Sequence, residues 1–258
     1  MNINQAFTIL QKSGGFRAAR IITEKYKKIS WVRTLYYAYL LKRKWPVAKI
    51  INSKWFYGMD FYTNKHTLDP RPDTETLVSA VIKDCLSNDP LHILDLGTGT
   101  GCIICALCKN IGNMTGVAID KSKSALKVAN KNIKKFGLDN KIKTKHGDFA
   151  TFKSDEKFDI IVSNPPYIAY GDSRVNDMAK HDPEIALYAD NDGLAAYEQI
   201  AKNAVNLLKD NGKIYLEIGV GQSNAIIKIF EYFGWKYERV EPDLSGINRV
   251  LVFYALKN

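Results

Sequence analysis

The chain has 258 residues, of which 46% are hydrophobic and 25% are charged, and this composition fits one globular domain plus a small additional unit. No apolar run reaches the ~18 residues of a membrane span, and the first residues lack a signal-peptide pattern. We therefore expect a cytoplasmic protein in a reducing environment, without membrane contact.

The positive charge is concentrated near the N-terminus. Residues 1–70 contain 13 Lys and Arg against 3 Asp and Glu, a net charge of +10, whereas residues 71–258 contain 24 of each. Two interpretations are open. This region faces an acidic partner such as RNA or an acidic protein surface, or it presents a solvated lysine-rich face.

The N-terminal part of the chain is predicted to be helical. Apolar residues recur at helical spacing over residues 5–26 and 32–45, which indicates a small helical domain over residues 1–54. The stretch that follows, WFYGMDFYTNKHTLD, is aromatic and extended. It predicts a hairpin or a linker over residues 55–72.

Strands and helices alternate over residues 73–258, which we interpret as the main domain. A first helix begins after Pro72 and ends near Cys85. Strands are then predicted at 92–96, 116–120, 142–148, 158–162, 213–219, 236–243 and 249–256, with helices at 101–110, 123–136, 193–208 and 223–233. This alternation predicts an α/β fold with a Rossmann-like sheet of seven mostly parallel strands, closed by a C-terminal antiparallel hairpin.

Three of the four cysteines, Cys102, Cys105 and Cys108, have a C-x2-C-x2-C spacing. No fourth cysteine follows at a spacing suited to an iron–sulfur cluster. Positions three apart rotate steadily around a helix, so these thiols cannot converge on one metal ion. We expect small buried apolar side chains and no metal site.

A glycine-rich turn, DLGTGTG, follows the first strand of the main domain. Its glycines permit a tight turn and let a ligand lie against the backbone. A dinucleotide fingerprint, G-x-G-x-x-G, would need glycine at residue 102, which is cysteine. The spacing instead favours S-adenosyl-L-methionine, whose amino-acid end carries no pyrophosphate. The candidate cofactor-binding residues here are Gly97, Thr98, Gly99, Thr100 and Gly101.

The next two strand ends carry further candidate cofactor residues. Asp120 can accept hydrogen bonds from both ribose hydroxyls, and Asp148 with Phe149 can flank an adenine ring. A purely structural role is the alternative for these acids. Asp95, before the glycines, can hold the glycine-rich loop in place, and Asp148 can serve only as a cap. The carboxyl ends of parallel strands meet at one edge, so the three strand ends together favour S-adenosyl-L-methionine.

The fourth strand ends in IVSNPPYI, where two prolines stop the strand and fix the chain. The Asn164 side chain and the Pro165 carbonyl can then accept the two hydrogens of a planar –NH2 group, on which Tyr167 can stack. Fixed acceptors favour the rehybridised nitrogen of a methyl-transfer transition state. The predicted catalytic residues are Asn164, Pro165, Pro166 and Tyr167, acting on a planar nitrogen.

Asn-Pro-Pro-Tyr is typical of methyltransferases that act on adenine N6, guanine N2 or glutamine N5. This chain resembles the peptide chain release factor glutamine methyltransferases from about Arg43 to Ala255. The resemblance lies in DPRPDTETLV, IVSNPPYI, HDPEIALYADNDGLAAY, LEIGVGQ and DLSGINRVL, which occur in that order. Ribosomal-protein glutamine methyltransferases usually read PRSP where this chain has PRPD, which favours the release-factor branch.

The resemblance implies methylation of the glutamine in the Gly-Gly-Gln loop of class 1 release factors, with S-adenosyl-L-homocysteine as the other product. It assigns cofactor contacts to Gly97–Gly101, Asp120, Phe149 and Asn164, and the substrate amide to the Asn164–Tyr167 corner. It also implies a monomer that does not require direct nucleic-acid binding. Two residues depart from the family, because Asp69 replaces a common apolar residue and Phe149 replaces a frequent tryptophan.

Three alternatives stay open at this point. A methyltransferase for a nucleic-acid amine is supported by NPPY and the basic N-terminus, although only about seventy residues would serve to extrude a base. A glutamine methyltransferase for a ribosomal protein shares most motifs. A catalytically idle binding module is opposed by the intact loop, Asp120 and NPPY.

Overall fold

The computed structural model describes residues 2–85, 89–172 and 179–255. Its N-terminal region is helical, as predicted, with α1 (Ile3–Lys25), α2 (Trp31–Lys42) and α3 (Val47–Ile51). Positive φ at Gly15 kinks α1. Apolar side chains of the three helices pack on one another in a cluster of their own. The division of the chain at residues 54 and 72 stays a prediction.

The aromatic stretch forms the predicted hairpin, in which β1 (Lys54–Phe56) and β2 (Met59–Phe61) pair antiparallel. The two phenylalanines that end these strands pack into the core of the main domain. Just after β2, Asn132 Oδ1 accepts from the Tyr62 N–H at 2.8 Å and Asn132 Nδ2 donates to the Tyr62 carbonyl at 2.9 Å. The hairpin is therefore fixed to the main domain.

The main domain alternates strands and helices. Its strands are β3 (Leu91–Leu96), β4 (Met114–Asp120), β5 (Ile142–His146), β6 (Phe158–Ser163), β7 (Ile168–Ala169), β8 (Tyr188–Ala189), β9 (Leu208–Glu217), β10 (Trp235–Pro242) and β11 (Asn248–Ala255). Its helices are α4 (Glu75–Asp84), α5 (Cys102–Asn110), α6 (Lys123–Lys135), the short α7 (Asp190–Gly193), α8 (Ala195–Ala204) and α9 (Ser223–Tyr232).

Seven strands form one sheet in the order β10-β11-β9-β6-β3-β4-β5. The pairs from β9 through β5 are parallel, and β11 is antiparallel to both of its neighbours. One apolar cluster beneath α4 and α5 covers one face, and a second beneath α8 and α9 covers the other. The predicted α/β class and the C-terminal antiparallel hairpin are confirmed, and the carboxyl ends of β3, β4 and β6 meet at one edge.

Several predicted boundaries differ from the observed ones. A 3-10 turn precedes α4, and the third strand ends at His146, because Gly147 begins the turn that presents Asp148. The prediction of 193–208 as one helix was too long, since α8 ends at Ala204 and a 3-10 turn leads into β9. Residue 256, predicted to end the last strand, lies outside the described residues.

The three closely spaced cysteines lie on α5 and are buried in the core. Burial raises the pKa of Cys102 and of Cys108 to about 12, so both stay neutral thiols. Along the described ranges, no helix is both long and apolar enough to cross a membrane.

Candidate active site

The glycine-rich loop after β3 takes a conformation that only glycine adopts readily, with φ of 74° at Gly97 and 55° at Gly99. Asp95 beneath it is fully buried, and its Oδ2 accepts from the Thr98 hydroxyl at 2.7 Å. Its Oδ1 has no partner among the described residues. Burial raises the pKa of Asp95 to about 7. Asp95 therefore ties the loop from below.

The loop opens into a cavity of about 330 Å³ at the carboxyl edge of the sheet. Ten of the twelve residues predicted for the site line it: Gly97, Thr98, Gly99, Thr100, Asp120, Asp148, Phe149, Asn164, Pro165 and Pro166. The sequence pattern thus brought together residues from four strand ends, as expected for an open α/β sheet.

Gly101, a predicted cofactor residue, lies outside that lining. It precedes α5 with φ of 77°, and a Cβ built on it would be 3.4 Å from the Ala129 Cβ on α6. That distance is an ordinary contact, so the positive φ that begins α5 is what favours glycine at this position, whereas Gly97 and Gly99 face the cavity.

Asp120 closes the loop from the neighbouring strand. Its Oδ2 accepts from the Gly99 N–H at 2.9 Å and its Oδ1 accepts from the Ser122 N–H at 2.8 Å. Burial raises the pKa of Asp120, although both N–H donors oppose this shift. The carboxylate is thus held in one rotamer at the cavity wall.

Asp148 is held in a similar way at the end of β5. Its Oδ1 accepts from the Ala150 N–H at 2.9 Å, and its Oδ2 pairs with the Lys121 ammonium at 2.9 Å. Partial burial raises the pKa of Asp148, but these two donors outweigh it and lower the pKa overall. An ionised acceptor therefore lies beside Phe149 in the cavity wall.

The residues present fit S-adenosyl-L-methionine. A Cβ built on Gly97 meets no protein atom within 4 Å, and one built on Gly99 meets only the Gly97 carbonyl at 4.0 Å, so both α-carbons open directly onto cavity space. Carboxylates at Asp120 and Asp148 and the ring of Phe149 suit the ribose hydroxyls and the adenine. The cavity is therefore polar near Asp120 and Asp148, where the ribose and adenine would lie, and is lined by backbone near Gly97 and Gly99, where the amino-acid end would lie.

The proline corner follows β6, whose last residue, Ser163, donates from its hydroxyl to the Leu96 carbonyl at 2.7 Å. The next side chain, Asn164, donates from Nδ2 to the Thr74 Oγ1 at 3.1 Å. Because Nδ2 donates there, Oδ1 is the carboxamide atom available to accept from a ligand. Pro165, buried, and Pro166 continue the wall.

A second cavity of about 570 Å³ adjoins the first. Both are lined by Leu68, Arg71, Asn164 and Ala186, so Asn164 lies between them. Tyr167, also predicted for the site, lines only the second cavity. Burial raises the pKa of Tyr167 to about 12, so its phenol stays neutral.

Glycine and glutamine residues from distant segments fix the backbone at Tyr167. Gln222 Nε2 donates to the Tyr167 carbonyl at 3.0 Å. Gly193, with φ of 83°, approaches so closely that a Cβ there would lie 2.2 Å from the same carbonyl oxygen. The corner is therefore positioned from both sides by tertiary contacts.

The sequence did not predict a buried ion network beside both cavities. Arg71 pairs with Asp182 at 2.6 Å, and the fully buried Lys49 ammonium pairs with Asp182 at 3.0 Å and with Asp69 at 2.9 Å. Burial raises the pKa of Asp182, against the two cations. Asp69 lies in DPRPDTETLV and Asp182 in HDPEIALYADNDGLAAY, but only the fold brings both acids to Lys49 on α3. The charged Asp69, where the family commonly has an apolar residue, is thus paired.

This fold with this pair of cavities defines a class I methyltransferase. A family profile described as "Methyltransferase small domain" matches residues 71–181. A methyltransferase from Pyrococcus furiosus shares the fold with a TM-score of 0.59 and 18% identity, over 86% of this chain and 96% of that one.

Curated relatives narrow the class to one family. A release factor glutamine methyltransferase from Caulobacter vibrioides is 35% identical over 249 residues, which cover 95% of this chain and 86% of the relative. The chain belongs to the release factor glutamine methyltransferase family. A bifunctional methyltransferase from Rickettsia prowazekii is 41% identical over 226 residues, and the match covers 80% of this chain but 44% of that protein. The chain thus spans less than half of that relative.

Proposed function

We propose that this enzyme transfers a methyl group from S-adenosyl-L-methionine to the side-chain nitrogen of the glutamine in the Gly-Gly-Gln loop of class 1 release factors. The observation that carries the proposal is the position of Asn164, which lines both cavities. An acceptor amide in the second cavity would meet the cofactor cavity at the boundary that Asn164 shares with Leu68, Arg71 and Ala186, and Asn164 is the only one of these four that the sequence predicted for the site.

On the cofactor side, the chain supplies binding and orientation. The cofactor supplies an electrophilic methyl group when bound. The backbone at Gly97 and Gly99 would hold the amino-acid end, Asp120 the ribose hydroxyls, and Asp148 with Phe149 the adenine. Because the loop and both carboxylates are already held by hydrogen bonds, little ordering is needed on binding.

On the acceptor side, the chain supplies hydrogen-bond acceptors in fixed positions. The Asn164 Oδ1 and the Pro165 carbonyl would accept the two hydrogens of the glutamine –NH2, which orients the nitrogen for in-line attack at near 3 Å. An amide nitrogen is planar because its lone pair is delocalised. Acceptors that suit a rehybridised, partly positive nitrogen therefore stabilise the transition state more than the ground state.

The proton balance requires no strong base at the corner. The new nitrogen–carbon bond would replace the methyl–sulfur bond, with S-adenosyl-L-homocysteine as the leaving group. The nitrogen would then be cationic and therefore acidic, and one of its hydrogens would leave as a proton to an oxygen acceptor or to water. An uncharged carboxamide at Asn164 is therefore sufficient, because the acidic nitrogen loses its proton without a strong base.

The second cavity suits a peptide loop in size. Its volume, about 570 Å³, exceeds the needs of one glutamine side chain, and it is lined by backbone and polar groups such as Gly219 and Gln222. A Gly-Gly-Gln loop has no side chains beside its glutamine and can approach such a wall closely. We also propose that the enzyme is cytoplasmic, because release factors meet ribosomes in the cytoplasm. The four cysteines are free thiols, which agrees with a reducing compartment. We propose that the enzyme is a monomer.

The test is to incubate the enzyme with methyl-labelled S-adenosyl-L-methionine and a purified class 1 release factor. Mass spectrometry is expected to find one methyl group on the Gly-Gly-Gln peptide. A release factor with that glutamine changed to alanine is the matched control and is expected to stay unlabelled. Label in nucleic acid or in a ribosomal protein, with none in the release factor, would overturn the proposal.

A further inference from the structure

A buried acid lies behind the proline corner, outside the lining of both cavities. Glu217 ends β9 and is 1% exposed. Neither of its carboxylate oxygens has a hydrogen-bond partner at good geometry among the described residues. An unpartnered buried carboxylate costs folding free energy, so its presence calls for a physical reason.

The sheet register brings this acid to the catalytic corner, because Leu216 on β9 lies opposite Ser163 on β6, one residue before Glu217 and Asn164 respectively. The Thr74 hydroxyl and the Asn164 carboxamide both approach the Glu217 carboxylate closely enough to lower its pKa against the effect of burial. Those two side chains are also bonded to each other, from Asn164 Nδ2 to Thr74 Oγ1 at 3.1 Å. Behind Asn164 there is thus a hydroxyl and a carboxylate, both able to accept from its –NH2 group.

The nearby cation is engaged elsewhere. Arg249 pairs with Asp243 at 3.1 Å and with Asp73 at 3.3 Å. It lies close enough to lower the pKa of Glu217 without forming an ion pair with it. The carboxylate therefore keeps most of its acceptor capacity for the Thr74 and Asn164 side chains.

A carboxamide has two orientations of nearly the same shape, and only one of them suits methyl transfer. With Oδ1 toward the acceptor cavity, Asn164 can accept from the glutamine –NH2. Turned by 180°, it presents its own –NH2, and two donors then face each other. The packing of the corner does not distinguish these orientations, so hydrogen-bond partners must do so.

We propose that Glu217 and Thr74 are positioning residues that hold the Asn164 carboxamide with its oxygen toward the acceptor. This inference rests on the proposed function, because the orientation matters only if Asn164 accepts a hydrogen bond from the substrate amide. The ionised form of Glu217 is the active one, since it can only accept. Its protonated form can donate to Oδ1 and turn the carboxamide.

The charge state of Glu217 follows from its surroundings. Burial raises the pKa of Glu217 to about 7. The titratable and charged groups that face it are Asp73 before α4, Cys102 on α5, Tyr167 after β6, Tyr197 on α8 and Arg249 on β11. Asp73 favours its neutral form and Arg249 favours its charged form, whereas Cys102, Tyr167 and Tyr197 carry no charge near pH 7. We therefore expect kcat to rise between about pH 6 and pH 8.

The primary variant is E217Q, which keeps the shape of the side chain but replaces an acceptor with a group that also donates. We expect kcat at pH 8 to fall about 30-fold, with the Kd of S-adenosyl-L-homocysteine within about twofold of the wild type. The rise of kcat with pH should disappear. E238Q on β10 is the matched control, since Glu238 is a half-buried glutamate outside the site, and its kcat is expected to stay unchanged.

Thr74 provides a second, independent variant pair. T74V removes the hydroxyl at constant shape and is expected to lower kcat about tenfold. T74S restores the hydroxyl and is expected to recover most of that loss. Equal activity of T74V and T74S would overturn the role given to the hydroxyl.

Two readouts do not depend on methyl transfer. Exchange of the Asn164 side-chain –NH2 hydrogens, followed by NMR, is expected to be slow in the wild type and fast in E217Q. Tm at pH 8 is expected to be higher for E217Q than for the wild type. Because the pKa of Glu217 is raised in the folded state, the wild type loses stability as pH rises from about 4.5 to 7, and glutamine avoids this loss. E217Q should thus be more stable but less active.

The outcomes separate the two proposals. Slow exchange in E217Q, kcat within twofold of the wild type, or a lower Tm would each overturn the positioning role, the last because it indicates a purely structural glutamate. If the wild type does not methylate a glutamine at all, the proposed function fails, while the exchange and Tm results still decide whether Glu217 orients Asn164.

Discussion

The two cavities that meet at Asn164 are built in different ways. One wall of the cofactor cavity is formed by the ends of successive strands, from the Gly97 loop to Phe149, and residues 66–74 and 183–199 line the rest. The second cavity has no such wall and draws on segments far apart in the chain, including Asp73, Gly219 and Arg249. The first cavity therefore has one wall that local patterns encode, whereas the second depends on tertiary contacts throughout.

This difference indicates which residues control cofactor binding, acceptor binding and methyl transfer. Changes in the loop and at Asp120 should act on cofactor affinity, because those residues face only the first cavity. Changes at contacts behind Tyr167 should act on the acceptor. Asn164 lines both cavities, so its loss should affect the chemistry more than the binding of either ligand.

The largest effect is expected for N164A. Removing the acceptor oxygen should lower kcat about 10³-fold, the range found when one transition-state hydrogen bond is lost. The Kd of S-adenosyl-L-homocysteine, measured by calorimetry, should change by less than about threefold. If N164A kept near-wild-type turnover, acceptance of the amide hydrogens at this residue would be wrong.

D120A should mark the cofactor side of the comparison. It removes the acceptor for the Gly99 N–H and the proposed partner of the ribose hydroxyls. Loss of charge-assisted hydrogen bonds of this kind should raise the cofactor Kd about 100-fold. The KM for the release factor should stay within about threefold, and a larger change in that KM than in the cofactor Kd would break the division between the cavities.

G193A should mark the acceptor side. A Cβ at this position would lie 2.2 Å from the Tyr167 carbonyl, so the corner must move. We expect kcat/KM for the release factor to fall about tenfold with little change in cofactor Kd. G234A is the matched control, because Gly234 has φ of 84° and open space around a Cβ. Equal losses of activity in both variants would attribute the effect to backbone strain alone.

The smallest effect should distinguish two glycines of one loop. Gly97 and Gly101 have φ of 74° and 77°, so alanine is strained equally at both. Only G97A places a methyl group in the cofactor cavity, which should raise the cofactor Kd about fivefold. G101A should leave the cofactor Kd unchanged, because its methyl group would make an ordinary contact with Ala129 outside the cavity. A larger Kd change in G101A than in G97A would contradict this assignment.

The fold and the strand-end wall of the cofactor cavity were predictable from the sequence because their signals are local. Strand–helix alternation predicts the sheet, and parallel strands bring Gly97, Asp120 and Phe149 to one edge whatever the rest of the chain does. Gly101 shows the limit of such prediction, since the same glycine spacing serves both the wall of the cavity and the left-handed turn that begins α5.

The acceptor side was less predictable because its contacts join distant residues. Nothing in the local sequence places Thr74 beside Asn164, 90 residues away, or Lys49 beside Asp182. Glu217 reads locally as the end of a buried strand. Its missing partners become visible only when the neighbouring elements are in place.

The most direct test of the central claim uses a bisubstrate analogue that joins the adenosyl amino-acid group covalently to the glutamine nitrogen of a Gly-Gly-Gln peptide. If Asn164 joins a cofactor cavity to an acceptor cavity, the analogue should bind at least about 100-fold more tightly than S-adenosyl-L-homocysteine. N164A should lose most of that gain and keep its affinity for S-adenosyl-L-homocysteine. An analogue that binds no more tightly than S-adenosyl-L-homocysteine would contradict the account.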